Sequence, residues 1–203
     1  MNITVYCGSN PGTNERFSEA AHALGTWIGQ NGHTLVYGGS SVGLMGILSR
    51  ATLEAGGTVE GVEPRFFIDA GVAQHDLTDL IVVDTMSERK AKMIELGDVF
   101  VALPGGVGTL EEISEIMTRI RLNLSAGPCF FLSIDGFYEP MVELLRSMEQ
   151  AGFLPEFDRS SFRFPRTVHE LTDQLAQLHP DASQYSCESD WKQPDWIADQ
   201  LYG

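Results

Sequence analysis

The run PGGVGTLEE, from Pro104 to Glu112, sets Gly105, Gly106 and Gly108 just ahead of Thr109, Glu111 and Glu112. Glycine lets a ligand approach the main chain closely. Successive N–H groups at a helix start then hold an anion without a cationic side chain. Thr109 and Glu112 have two readings. Their spacing is that of a capping box, with Glu112 reaching back to the backbone of Thr109. The same position favours an ionised carboxylate that can stabilise developing positive charge. In MSERKAKM, Met86 to Met93, Arg89 and Lys90 fall at the start of another helix. Acids are preferred there, so the two cations are either a solvated face or a sign of an anion nearby.

Two more glycine turns follow apolar runs: Gly8-Ser9 after ITVYC, and GGSSVGLMG (Gly38–Gly46) after TLVYG. In an open parallel sheet such turns share one edge, where ligands sit at the switch in strand order. None is a Walker A loop, because no lysine follows the glycines, and G-x-G-x-x-G is absent. The turns therefore suit a single phosphate better than a pyrophosphate or triphosphate. No metal-ligand set such as HExxH or paired CxxC occurs, so neither metal nor cofactor is expected.

The elements that must position these turns are legible as alternating patterns. Apolar runs at Ile3–Cys7, Thr34–Gly38, Thr58–Val62, Leu80–Asp84, Val99–Leu103 and Cys129–Ser133 lack polar alternation, as in strands covered on both faces. Between them, Phe17, Ala20, Ala21, Leu24, Trp27 and Ile28 form a helical stripe over Glu15–Gln30. Ile113, Ile116, Met117, Ile120 and Leu124 form another over Thr109–Leu124. Strands alternating with helices predict a single doubly wound, Rossmann-like α/β domain. Its sheet should be mostly parallel, with about seven strands flanked by helices.

The 203 residues suit one domain, placed at 1–178, followed by a polar, acidic, aromatic-bearing tail at 179–203. The formal charge of −15 argues against nucleic acid as a partner. No apolar run approaches the roughly 18 residues of a membrane span, and no signal peptide is read at the N-terminus. Cys7, Cys129 and Cys187 are far apart and odd in number, which fits unpaired thiols in a reducing cytoplasm.

MSERKAKM followed by PGGVGTLEE resembles the paired motifs M-x-x-R-K and P-G-G-x-G-T-x-x-E of the Lonely Guy (LOG) family. These are cytokinin riboside 5′-monophosphate phosphoribohydrolases, often labelled lysine decarboxylases. The resemblance runs from about Ile3 to Leu178 and takes in YCGS, YGGSSVGLMG and FFLSIDGFY. It implies a Rossmann-like homodimer that cleaves the N-glycosidic bond of a nucleoside 5′-monophosphate, giving free base and ribose 5-phosphate. By motif position Arg89 and Glu112 match the family's catalytic pair, and Gly105, Gly106, Gly108 and Thr109 its phosphate loop. Met86 and Lys90 belong to the first motif, while Gly8, Ser9 and Gly39 match the nucleotide-contacting turns.

The chain departs from the family at Ser40, where a glycine or alanine is common, and at Arg119 and Arg121, where T-W-x-Q-L is common. These departures leave the base open between a cytokinin and adenine itself. A non-catalytic nucleotide sensor of the same fold is the second reading. A pyridoxal-dependent decarboxylase is the third, with Lys90 as the sensible candidate among Lys90, Lys92 and Lys192.

Overall fold

Alternate residues of the strands face opposite ways, and both sides are apolar. The structure, a computed structural model, describes residues 1–122, 124, 127–154 and 161–178, so the 179–203 tail and Cys187 lie outside the described residues. The first half runs β1 (Asn2–Tyr6), α1 (Glu15–Gln30), β2 (Thr34–Tyr37), α2 (Gly43–Glu54), β3 (Thr58–Pro64), α3 (Arg65–Asp69) and β4 (Asp79–Val83). The second runs α4 (Met86–Leu96), β5 (Val99–Ala102), α5 (Val107–Arg121), β6 (Cys129–Phe131), α6 (Glu139–Gln150), β7 (Phe162–Arg163) and α7 (Val168–Ala176).

The seven strands form one sheet in the order β4-β3-β2-β1-β5-β6-β7, and every pairing is parallel. The winding reverses at β1, which has β2 on one side and β5 on the other. This is the doubly wound α/β architecture the alternating pattern predicts.

Ile3, Val5, Leu35, Tyr37, Val99 and Val101 point to one face and pack with Ala21, Leu24 and Ile28 of α1, Leu48 of α2 and Leu171 of α7. Tyr6, Val36, Val62, Phe100 and Ala102 point to the other and meet Met93 of α4 with Ile113, Ile116 and Ile120 of α5. Full burial of each such large side chain contributes about 1.5–3 kcal/mol. The α1 stripe matches its predicted bounds. The α5 stripe ends earlier than predicted, since the helix stops at Arg121 and Leu124 is exposed.

Candidate active site

Reversal of winding at β1 leaves a crevice at the carboxyl ends of the strands. A cavity of about 650 Å³ lies there, within the range of small-molecule sites. Its described lining comes from residues between Val5 and Glu112. Backbone bonds tie its walls together: Gly8 N donates to Pro104 O at 3.1 Å, and Leu44 N donates to Gly8 O at 3.0 Å. Gly43, at φ +59°, lets the second turn close on the first, since a Cβ there would lie 2.3 Å from the carbonyl carbon of Ser9.

Arg89 and Glu112 meet across this crevice. A capping box starts α4: Glu88 N donates to Thr85 Oγ1, and the Glu88 carboxylate accepts from Thr85 N. Arg89 follows and turns inward, 7% exposed. Its Nε donates to Val62 O, Nη2 to Gly38 O and Nη1 to Glu112 Oε1, each at 3.1 Å. All three guanidinium nitrogens are thus engaged from three elements. Lysine, a point charge on a flexible stem, could not reproduce that fork.

The capping box expected at Thr109 and Glu112 is not formed. The N-cap of α5 lies three residues earlier, at Gly106 and with no side-chain cap, so Glu112 lies too far along to reach the helix start. Its carboxyl faces Arg89 instead. Burial raises its pKa above the ordinary carboxylate value, while Arg89 pulls the other way. The result is a stronger base than a surface glutamate, still paired with a cation.

At the other wall, the first intrahelical bond of α5 is Leu110 N to Gly106 O. The N–H groups of Val107, Gly108 and Thr109 therefore have no intrahelical acceptor, and all three residues line the cavity. With the helix dipole they form the kind of site that takes a phosphate. A Cβ on Gly106 or Gly108 would meet nothing within 4 Å.

Gly8, Ser9, Met86, Arg89, Gly106, Gly108, Thr109 and Glu112 all line the cavity, as a sequence reading would place them. Gly105 sits behind the loop, where a Cβ would be 2.2 Å from Thr109 Oγ1. Gly39, at φ +82°, backs on to the Glu63 carboxyl. Lys90 does not line the cavity; it is ion-paired with Glu111, which does, and, at 3.0 Å, with Glu115. Arg119 and Arg121 are not among the lining residues, although Ser40 is.

Glu63 also lines the cavity and escapes a sequence reading that ends its strand at Val62. The available signal is a second carboxylate, after Glu60, at the crevice end of a parallel strand. Met45, Phe67 and Val72 join it in the part of the cavity beside β2 and β3.

A family model described as "possible lysine decarboxylase" matches residues 45–175. The chain is 44% identical over 159 residues to the cytokinin riboside 5′-monophosphate phosphoribohydrolase of Rhodococcoides fascians, covering 78% of this chain and 80% of that one. It is 38% identical over 179 residues to the enzyme of that name, LOG, from Oryza sativa subsp. japonica, covering 88% and 74%. The molybdenum cofactor carrier protein of Chlamydomonas reinhardtii, 22% identical with a TM-score of 0.65 over 87% of this chain and 96% of its own, shares the fold. On these matches, and with both motifs at one crevice, the chain belongs to the Lonely Guy (LOG) family.

Proposed function

We propose that this chain hydrolyses the N-glycosidic bond of a nucleoside 5′-monophosphate, releasing free base and ribose 5-phosphate. The observation that carries the reading is the buried Arg89–Glu112 pair, 3.1 Å apart, on the wall of a cavity that also holds the open N-terminus of α5. Relatives at 44% and 38% identity are named for this reaction on cytokinin riboside 5′-monophosphate. We take that nucleotide and AMP as the two substrates to compare.

The phosphate lies at Gly106, Gly108 and Thr109, with Gly8 and Ser9 beside it. Backbone donors are needed there because a net charge of −15 opposes an anion's approach. β5 and β3 are three strand spacings apart, about 14 Å. That span fits a nucleotide laid across the sheet edge, with ribose at Arg89 and Glu112 and base towards β3. Cleavage builds positive charge on the ribose, as in other glycoside hydrolyses. Glu112 faces that charge and takes a proton from the attacking water. Arg89 stays protonated and fixes the Glu112 carboxylate in place, and binding of the remote phosphate holds the sugar in register.

A decarboxylase reading needs a lysine that can reach the cavity. Lys90 and Lys92 are paired with Glu111, Glu115 and Glu95, and neither lines it. Lys192 lies outside the described residues. The reading extends to a homodimer in the cytoplasm. The resemblance supports the dimer, and light scattering on the purified chain tests it. Buried free thiols at Cys7 and Cys129 suit that compartment.

The direct experiment incubates purified protein with AMP and with isopentenyladenosine 5′-monophosphate and measures free base by chromatography. Base release is expected, and Glu112→Gln should abolish it while nucleotide binding persists. A folded wild type that releases no base from either overturns the reading in favour of a nucleotide sensor.

A further inference from the structure

Glu63 has an environment that suits neither a structural ion pair nor solvent. It is 1% exposed, lines the cavity, and its Oε2 is buried without a hydrogen-bond partner. An ionised carboxylate left this way is costly, which favours the neutral form. From the turn after β2, Gly39 leaves room for it, since a Cβ there would stand 2.6 Å from Oε2. Tyr37, the last residue of β2, lies near it with a hydroxyl whose pKa burial raises, a hydrogen bond with Ser49 lowers, and an ionised Glu63 would raise further. From α4, Arg89 attracts it through space but commits its nitrogens to Val62, Gly38 and Glu112. Phe67 of α3 and Ala70 at its end present no titratable group to the cavity. Burial pushes the Glu63 carboxyl up to about 7 against the pull of Arg89.

The reaction proposed above lacks a donor for the leaving base. Arg89 cannot act, because guanidinium does not give up its proton in proteins. Glu112 is on the ribose side, paired with Arg89.

We propose that Glu63, as a neutral carboxylic acid at the β3 end of the crevice, protonates a ring nitrogen of the departing purine. The assignment rests on the glycosidase reading. Water oxygen forms the new bond to C1′ as the C1′–N9 bond breaks, and that electron pair passes into the purine ring. The Glu63 proton goes to the ring nitrogen, and a proton of the water goes to the Glu112 carboxylate. After release, Glu112 returns its proton to solvent and Glu63 takes one up. The net change is one water consumed.

The test compares wild type, Glu63→Gln and Glu63→Asp on AMP and on p-nitrophenyl β-D-ribofuranoside 5-phosphate, whose nitrophenolate leaves without a proton. On AMP, Glu63→Gln should lower kcat by about 100-fold or more with little change in KM. On the nitrophenyl substrate the loss should stay within about threefold, since only the acid step is removed. Wild-type kcat/KM on AMP should fall as pH rises through about 7, and the nitrophenyl substrate should not show that fall. Glu63→Asp, which keeps a carboxyl, should retain part of the AMP activity and the same pH dependence. If Glu63→Gln does not fold, that variant and the two wild-type pH profiles carry the test.

Glu63→Gln with normal AMP turnover, or with equal loss on both substrates, overturns the assignment and leaves the glycosidase reading standing. Identical wild-type pH profiles on the two substrates do the same. A wild type that cleaves neither substrate overturns both.

Discussion

The glycine turn after β2 and the glycine turn after β5 look alike in sequence and differ in what their glycines face. Around the first, protein fills the space. A Cβ on Gly38 would lie 1.7 Å from Arg89 Nη2, and one on Gly43 would strike the backbone of Ser9. Around the second, Gly105 is packed against Thr109, but Gly106 and Gly108 face open cavity. One turn is bare so that the chain can fold on itself. The other is bare towards the crevice, where close backbone approach is useful only to something that enters. A glycine-rich loop thus carries two kinds of information, separable only by asking what a methyl group would touch.

Alanine substitutions break this comparison most directly. Gly38→Ala should have the largest effect, because it displaces Arg89 from Gly38 O and loosens its hold on Glu112. We expect kcat on AMP to fall by roughly 10³-fold, with a lowered Tm, by steady-state assay and thermal melting. Gly108→Ala should separate binding from folding. Its Tm should hold or rise, because alanine favours a helix by up to about 1 kcal/mol, while KM for AMP rises roughly tenfold as the methyl crowds the phosphate. An equal Tm loss in both variants would erase the distinction between the turns.

A pH series sharpens the first turn further, since Gly39 abuts Glu63. A carboxyl raised from 4.5 to about 7 holds its proton longer when folded than when unfolded. Stability from this group is therefore full below about pH 4.5 and is lost as pH rises towards 7. Glu63→Gln should melt above the wild type by a few degrees at pH 8, with the gap narrowing towards pH 4. Melting curves at both ends of that range check it. The smallest effect belongs to Lys90→Met beside the second turn. Lys90 pairs at the surface with Glu111, which is largely exposed, so stability should change by under about 1 kcal/mol in urea titrations.

The six longer strands and the two strongest helices are legible because apolar runs and 3.6-residue spacing survive without tertiary information. β7 is not, because Phe162 and Arg163 are too short a strand to show any period. The start of α5 differs from the expected one for a physical reason. Thr109 has the chemistry of an N-cap, but Gly106 takes that place and the helix begins at Val107. The meeting of Arg89 with Glu112 is invisible to spacing. It arises because α4 and α5 pack on the same face of the sheet, and the paired motifs alone pointed to it. Glu63 is not legible because a strand's closing residue reads as boundary, whereas the sheet puts that boundary on the crevice.

The cavity walls end at Glu112, and β6, α6, β7 and α7 supply none of its described lining. Amino-acid drift in that far edge should therefore alter abundance through folding yield, leaving the turnover of each correctly folded copy nearly constant. Variant libraries confined to the edge should give activity proportional to soluble protein, whereas libraries in the first 112 residues should scatter away from that line.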